Sequence, residues 1–481
     1  MLLPLRDAVR TSILSKKWRF YWLKLPQLVF DDTLIRDSKK NKISIQSKLH
    51  KTIYQVLLHH RGPIVKFTLS ISELESCVWI YELIVLFLLR NCIRELTLYI
   101  QRGNSYRLPP ALFSCPQLRE LKLSNCIIEP PPTFNGFSRI RSLEFHSVYF
   151  AYGVLRRLVS SCPQLEQLKI GRNIDCGFLE IDAPNLKFLS INARFGSIHF
   201  KNVPLLAVVS ITSNYDQRRE KSAMIEVFRS LPVIETLQLG HRFVKFLTVG
   251  YVPEKLPFTL DHLKVLQLKF IRFGEIADVS FALCLIKSSP NLKFFDIEVF
   301  TSKYDATGVT EPVLEFLEMQ DYSDISLNQL QELKMQFISG TRPELEFLKL
   351  ILATSPLLER IIIEPNSAKV HGCALIPTKQ RLRLRRRSRK REKKKPVHLS
   401  VEDTAQGVTM CCKSLFRKGI CFNLSFRMVR FVSGSFTIQL LDVPANYLSE
   451  KVSRCITDTF GRCLKVELRD KCDTPRIRDK G

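Results

Sequence analysis

The chain has 481 residues, 45% of them hydrophobic and 25% charged, a globular composition that gives ample apolar material for a core and excludes disorder throughout. Lys and Arg number 73 against 46 Asp and Glu, a formal net charge of +27 that invites an anionic partner. Twelve of the seventeen residues 379–395 are Lys or Arg, so one short run carries much of that excess.

The chain opens MLLPLRDAVR, where Arg6 and Asp7 interrupt any apolar run long enough for a secretory signal core. The expected location is therefore nucleus and/or cytoplasm, without secretion. Val9, Ile13, Leu14, Trp18 and Trp22 then recur at helical spacing, with Arg6, Arg10 and Lys17 beside them. This stripe either packs on the chain itself or is buried by a partner. The most apolar stretch, 78–89, contains Glu82 and falls well short of the roughly twenty residues that span a bilayer. It reads as a buried helix, and no membrane partner is expected.

Self-similarity fixes the architecture of the central part of the chain. Residues 115–123 read CPQLRELKL and residues 162–170 read CPQLEQLKI. Looser copies of L-x-x-L-x-L start at Ala183, Val203, Leu231, Leu260, Ser289, Leu327 and Ser355, with weaker members at Cys92 and Phe137. The first leucine recurs at about 20 to 29 residues, the leucine-rich-repeat period, with one longer gap between Leu292 and Leu330. In LRELKLS, Leu121 and Leu123 point one way while Glu120, Lys122 and Ser124 point the other, the period of a strand with one buried face.

One such strand cannot bury its leucines alone, so consecutive units must stack. The fold class is α/β: a leucine-rich-repeat solenoid, a curved parallel sheet with helices on the convex side, preceded by a helical segment and followed by a basic tail. Runs 154–165 and 281–292 space their apolar residues at three and four and end in Ser and Pro, which predicts two of those helices. The Pro two residues before the first Leu is expected to preset an extended approach to each strand.

The outward strand positions form a mixed-charge strip suited to a protein ligand. Candidate target contacts are Glu120, Lys122, Glu144, His146, Gln167, Lys169, Asn192, Gln238, Gln267, Lys269, Asp296, Glu298 and Lys334. Ser124, Ser142, Ser190, Glu332 and Gln336 share their phase.

The array ends near Pro365, and residues 367–395 read as a basic disordered linker. Its densest part, Arg385, Arg386, Arg387, Arg389, Lys390, Arg391, Lys393, Lys394 and Lys395, suits a nuclear-import signal, a nucleic-acid contact or a solvated tail. Aromatic residues do not interleave with these charges, so stacking on unpaired bases is not supported. Residues 396–481 contain the strand-like ICFNLSFRMVRFV and SFTIQLLDV but take no domain assignment.

Sites for chemistry are missing from the pattern. There is no G-x-S-x-G elbow, no phosphate loop, no GxGxxG, no HExxH and no CxxC pair, so neither an enzyme nor a metal or other cofactor is expected. The fourteen cysteines are scattered in apolar and repeat contexts, which fits a reduced protein.

Two segments carry a family resemblance. LPLRDAVRTSILSKKWRFYWLKLPQLVFDD, from Leu3, resembles the second half of an F-box. LNQLQELKMQFISGTRPELEFLKLILATSPLLERIIIEP, residues 327–365, is similar to the FBD domain that closes many plant F-box/leucine-rich-repeat proteins. Val78, Trp79 and RELTL resemble that family's junction into its repeats.

The resemblance covers roughly residues 3–366. It implies a partial F-box over 1–32, truncated at its N-terminus, then repeats over 50–326 and an FBD-like closing repeat over 327–366. It also implies a non-catalytic, substrate-receptor-like subunit of a Skp-cullin-F-box ubiquitin ligase, with ubiquitin transfer carried by partner subunits. Pro4, Leu5, Val9, Leu14, Trp18 and Trp22 match the family's adaptor-binding positions, and the strip would take an unknown target protein. The alternative is a nuclear or nucleic-acid-associated binding protein, with a vestigial F-box and no ligase role, that meets nucleic acid through its basic run.

Overall fold

A computed structural model describes residues 5–14, 16, 18–34, 42–74, 93–172, 174, 176–212, 224–300, 311–320, 325–365, 425–432 and 435–441. They divide into two units, Met1–Ile234 and Glu235–Gly481. The stretch 78–89, Pro4 and the whole basic run from Arg385 to Lys395 lie outside the described residues.

The first unit has strands β1 (Gln27–Asp31), β2 (Lys66–Leu74), β3 (Glu95–Gly103), β4 (Tyr106–Arg107), β5 (Glu120–Ser124), β6 (Cys126–Ile128), β7 (Ser142–His146), β8 (Tyr149–Phe150), β9 (Gln167–Ile170), β10 (Phe178–Asp182), β11 (Phe188–Ile191), β12 (Ser197–Asn202) and β13 (Val208–Ile211). Its helices are α1 (Leu5–Thr11), α2 (Lys42–His59), α3 (Val154–Ser160) and α4 (Met224–Arg229). The repeat strands pair in the order β1-β2-β3-β5-β7-β9-β11-β13, every pair parallel.

Period-two leucines explain that sheet. Leu96 and Leu98, Leu121 and Leu123, Leu143 and Phe145, Leu168 and Ile170, Leu189 and Ile191, and Val209 and Ile211 are each at most 2% exposed. Each such side chain contributes roughly 1.5 to 3 kcal/mol on burial, so a repeat is held chiefly by its neighbours.

The prolines act differently from the extended approach expected of them. The N–H groups of Leu165, Leu186 and Leu206 donate to the carbonyls of Cys162, Ala183 and Val203 at 3.1 Å each. Pro163, Pro184 and Pro204 are thus the second residues of tight turns, where a fixed φ helps and no N–H is needed.

Connections in the first unit are helical only in places. The run beginning at Val154 forms α3, packed against β10. Between β3 and β13 the chain also returns through short strands, β4-β6-β8 in one small parallel sheet and β10-β12 in another.

The second unit has β14 (Thr236–Gly240), β15 (Val265–Ile271), β16 (Phe294–Val299), β17 (Glu332–Ile338) and β18 (Arg360–Pro365), all parallel. Here the connections carry α5 (His241–Leu247), α6 (Ile276–Lys287), α7 (Glu311–Glu318) and α8 (Arg342–Thr354). The long gap between Leu292 and Leu330 holds α7, which packs between α6 and α8. The FBD-like segment is one more repeat, β17-α8-β18, its helix started by a capping box of Thr341 and Glu344. The two strand-like tail segments form β19 (Ser425–Val432) and β20 (Ser435–Leu441), which extend this sheet antiparallel from β18.

No helix among the described residues is long and apolar enough to cross a membrane. Among these residues no group of His, Cys, Asp and Glu is arranged to hold a metal ion.

Candidate functional site

The fold presents two surfaces: the N-terminal segment and the polar face of the repeat strands. In the first, the expected continuous helical stripe is cut short. Helix α1 ends at Thr11, where the hydroxyls of Thr11 and Ser12 donate back to the carbonyls of Ala8 and Val9 at 2.8 and 2.5 Å and compete with the helical ladder.

Leu5 and Ala8 turn inward, at 6% and 1% exposure, so Leu5 is a core residue and not an available adaptor contact. Val9, Ile13, Leu14 and Trp18 face solvent at 39%, 86%, 80% and 44%, and Trp22 is half-buried. The exposed apolar group extends to Phe20 and Tyr21, with the Trp18 and Tyr21 rings 5.6 Å apart.

On the strand face of the first unit, Lys122, Glu144 and Lys169 stand in register on β5, β7 and β9. Glu144 Oε2 lies 3.8 Å from Lys122 Nζ and 3.7 Å from Lys169 Nζ, while His146 Nε2 hydrogen-bonds Glu144 Oε1 at 2.9 Å. That hydrogen bond holds the Glu144 carboxyl below the usual carboxylate range, against partial burial and with help from Lys169 and Lys122. The His146 ring meets Tyr99 edge-on at 5.6 Å. A Cβ at position 171 would fall 2.1 Å from His146 Nδ1, so Gly171 makes room for the imidazole. Glu120 and Gln167 border this cluster on β5 and β9, and Asn192 follows β11.

In the second unit Gln238, Gln267, Asp296 and Lys334 form one row across β14 to β17, and Lys269 and Glu298 pair at 3.0 Å. Asp296 accepts from Gln336 Nε2 at 2.8 Å and is only 8% exposed; burial pushes its carboxyl above the ordinary value. Gln336 is 9% exposed. Ser124, expected on the outer face, is 2% exposed because its hydroxyl donates to the Ile100 carbonyl at 2.7 Å. These three are therefore ties between strands, not open contacts. Most of the other charges pair across strands, Lys122 and Lys169 with Glu144, Lys269 with Glu298 and Lys334 with Glu364, which orders the surface.

Sequence reasoning passed over a second row. The residues just before β3, β5, β7, β9 and β11 are Arg94, Arg119, Arg141, Glu166 and Lys187. Their backbones connect in sequence: Arg119 N–H to the Arg94 carbonyl at 2.7 Å, Arg141 to Arg119 at 2.8 Å, Glu166 to Arg141 and Lys187 to Glu166 at 2.9 Å each. Aligning the repeats one position upstream of each strand would have exposed it.

Backbone strain was invisible too. Phe270 and Phe337 sit at bulges of β15 and β17 with φ of 61° and 60°, and stay 49% and 41% exposed. Asn125 and Ser147 hold the matching place after β5 and β7.

A family model described as "FBD-associated F-box protein At5g56370, LRR repeats" matches residues 84–297. The chain is similar to the F-box/FBD/LRR-repeat protein At1g13570 of Arabidopsis thaliana, with 36% identity over 76% of this chain and 87% of the relative. It is also similar to the FBD-associated F-box protein At4g10400 of the same plant, with 31% identity over 64% of this chain and 76% of the relative. Repeats, register and relatives agree: the chain belongs to the F-box/FBD/leucine-rich-repeat family.

Proposed function

We propose that this chain is a substrate receptor of a Skp-cullin-F-box ubiquitin ligase, holding a target protein on the polar strand face and docking on a Skp-type adaptor through its N-terminal segment. The observation that carries this reading is the exposure of Ile13, Leu14 and Trp18 in the segment that resembles an F-box, within a chain whose repeat leucines are almost wholly buried. A solvated apolar group of that kind gains from being covered by a partner. The receptor's contribution is proximity: it raises the effective concentration of target near the transfer machinery and supplies no reactive group.

The experiment is recovery of a purified Skp-type adaptor by the full chain, set against a variant carrying Leu14→Asp and Trp18→Ala. Loss of two central anchors should lower recovery by about tenfold or more. Background-level recovery by both proteins removes the reading.

A further inference from the structure

We propose that the arginine row at the N-terminal edge of the first unit is a docking site for an acidic, carboxylate-rich segment of a partner protein. The inference names a partner chemistry for the receptor reading above and rests on it only for biological purpose. Arg94, Arg119 and Arg141 occupy the same place in three consecutive repeats, linked backbone to backbone. Adjacent strands are about 4.8 Å apart, so the three guanidinium groups start from a span of about 10 Å. All three side chains are exposed. Like charges placed side by side on neighbouring strands oppose folding, so neither packing nor sheet stability accounts for the row.

The row itself shows what it accepts. Glu166 stands fourth in it and reaches Arg141 Nε at 4.0 Å and Lys187 Nζ at 3.5 Å. Among the described residues, no carboxylate plays that part for Arg94 or Arg119. Arg139 adds a fourth guanidinium nearby, held by Gln117 Oε1 at 2.8 Å. The surrounding charge has the same sign: residues 93–212 hold 14 Lys and Arg against 8 Asp and Glu, whereas residues 235–365 hold 13 against 18. An acidic segment is thus drawn to the first block of repeats and repelled by the second.

A carboxylate peptide fits better than a nucleic acid. Glu95 and Glu120 begin the strands immediately after Arg94 and Arg119, which opposes a continuous phosphate backbone but leaves room for discrete carboxylates gripped in a planar fork. Nothing aromatic lies in the row for bases to stack on.

The test measures binding of a fluorescein-labelled peptide of alternating Glu and Ser to the full chain, without adaptor, so its outcome is independent of ligase assembly. A variant with Arg94→Gln, Arg119→Gln and Arg141→Gln should lose about tenfold in affinity with no fall in melting temperature. Both proteins retain the basic tail, so the difference belongs to the row. Glu166→Gln should raise affinity several-fold by freeing Arg141 and Lys187 from their internal competitor. Equal affinity in the triple variant, or no gain in Glu166→Gln, overturns the proposal. So does a single-stranded oligonucleotide of equal charge that binds more tightly than the peptide and loses the same factor in the triple variant.

Discussion

The backbone N–H of Arg272 donates to the Asp278 carboxylate at 3.1 Å, and two repeats later the Ser339 N–H donates to Glu344 at the same distance. In both places a residue of positive φ, Phe270 or Phe337, lies two positions before the donor, and the acid is the third residue of the following helix. The strand bulges, turns, and is pinned to the helix that returns it. Asp278 is fully buried and also lies 3.1 Å from His241 Nδ1. Asp278→Ala should therefore cost about 1 to 3 kcal/mol in denaturant unfolding, because the Arg272 N–H and the His241 ring, both partly buried, lose their shared partner. Asp278→Asn, which keeps an acceptor for the Arg272 N–H, should cost less.

Glu144 makes stability depend on pH. Its folded-state carboxyl is depressed below the ordinary value of 4.5, so the stabilisation is complete above that value and is lost as pH falls through the depressed one. Glu144→Gln removes the effect. The gap in melting temperature between the native chain and this variant should be constant near neutral pH and shrink as pH falls below 4.5. A gap that stays constant with pH means that the Glu144–His146 hydrogen bond does not bias the carboxyl.

Much of this fold was legible in the sequence because it rests on a repeated spacing. Leu121, Leu168 and Leu266 are each at most 2% exposed and stand on parallel strands, as period two demands. What could not be read depended on contacts between repeats. Ser124 shares the phase of Lys122 but turns to the Ile100 carbonyl of a neighbouring strand, and Asp296 is covered through Gln336 from the next repeat. Leu5 matches an adaptor-binding position of the family by resemblance alone, yet its burial depends on what packs against α1. The arginine row was hidden for a simpler reason: the strand alternation drew the eye to positions inside the strand and away from the one before it.

The buried thiols should be chemically quiet. Burial pushes Cys162 and Cys284 up to about 11, and Cys126 higher still. A thiol must ionise to react, so at about pH 8 these residues carry little thiolate. Iodoacetamide should leave all three largely unmodified in the folded chain and alkylate them once it is unfolded, as read by mass spectrometry of peptides. Rapid alkylation of Cys126 in the folded protein would mean that its repeat opens readily.

Two phenylalanines should respond to replacement by very different amounts. Phe295 is fully buried on β16, and Phe295→Ala should cost about 3 to 5 kcal/mol through the transfer energy forfeited and the cavity left behind. Phe270 differs, with its ring half in solvent and its backbone at a φ of 61° that a bulky side chain resists. Holding that conformation costs on the order of 1 to 3 kcal/mol, while the half-buried ring returns only about 1 kcal/mol. Asn tolerates the left-handed region and already holds the matching place at position 125. Phe270→Asn should thus change unfolding stability by less than about 1 kcal/mol in either direction, because relief of backbone strain offsets the smaller apolar burial. A destabilisation as large as that of Phe295→Ala would show that the ring, not the bend, is what this bulge needs.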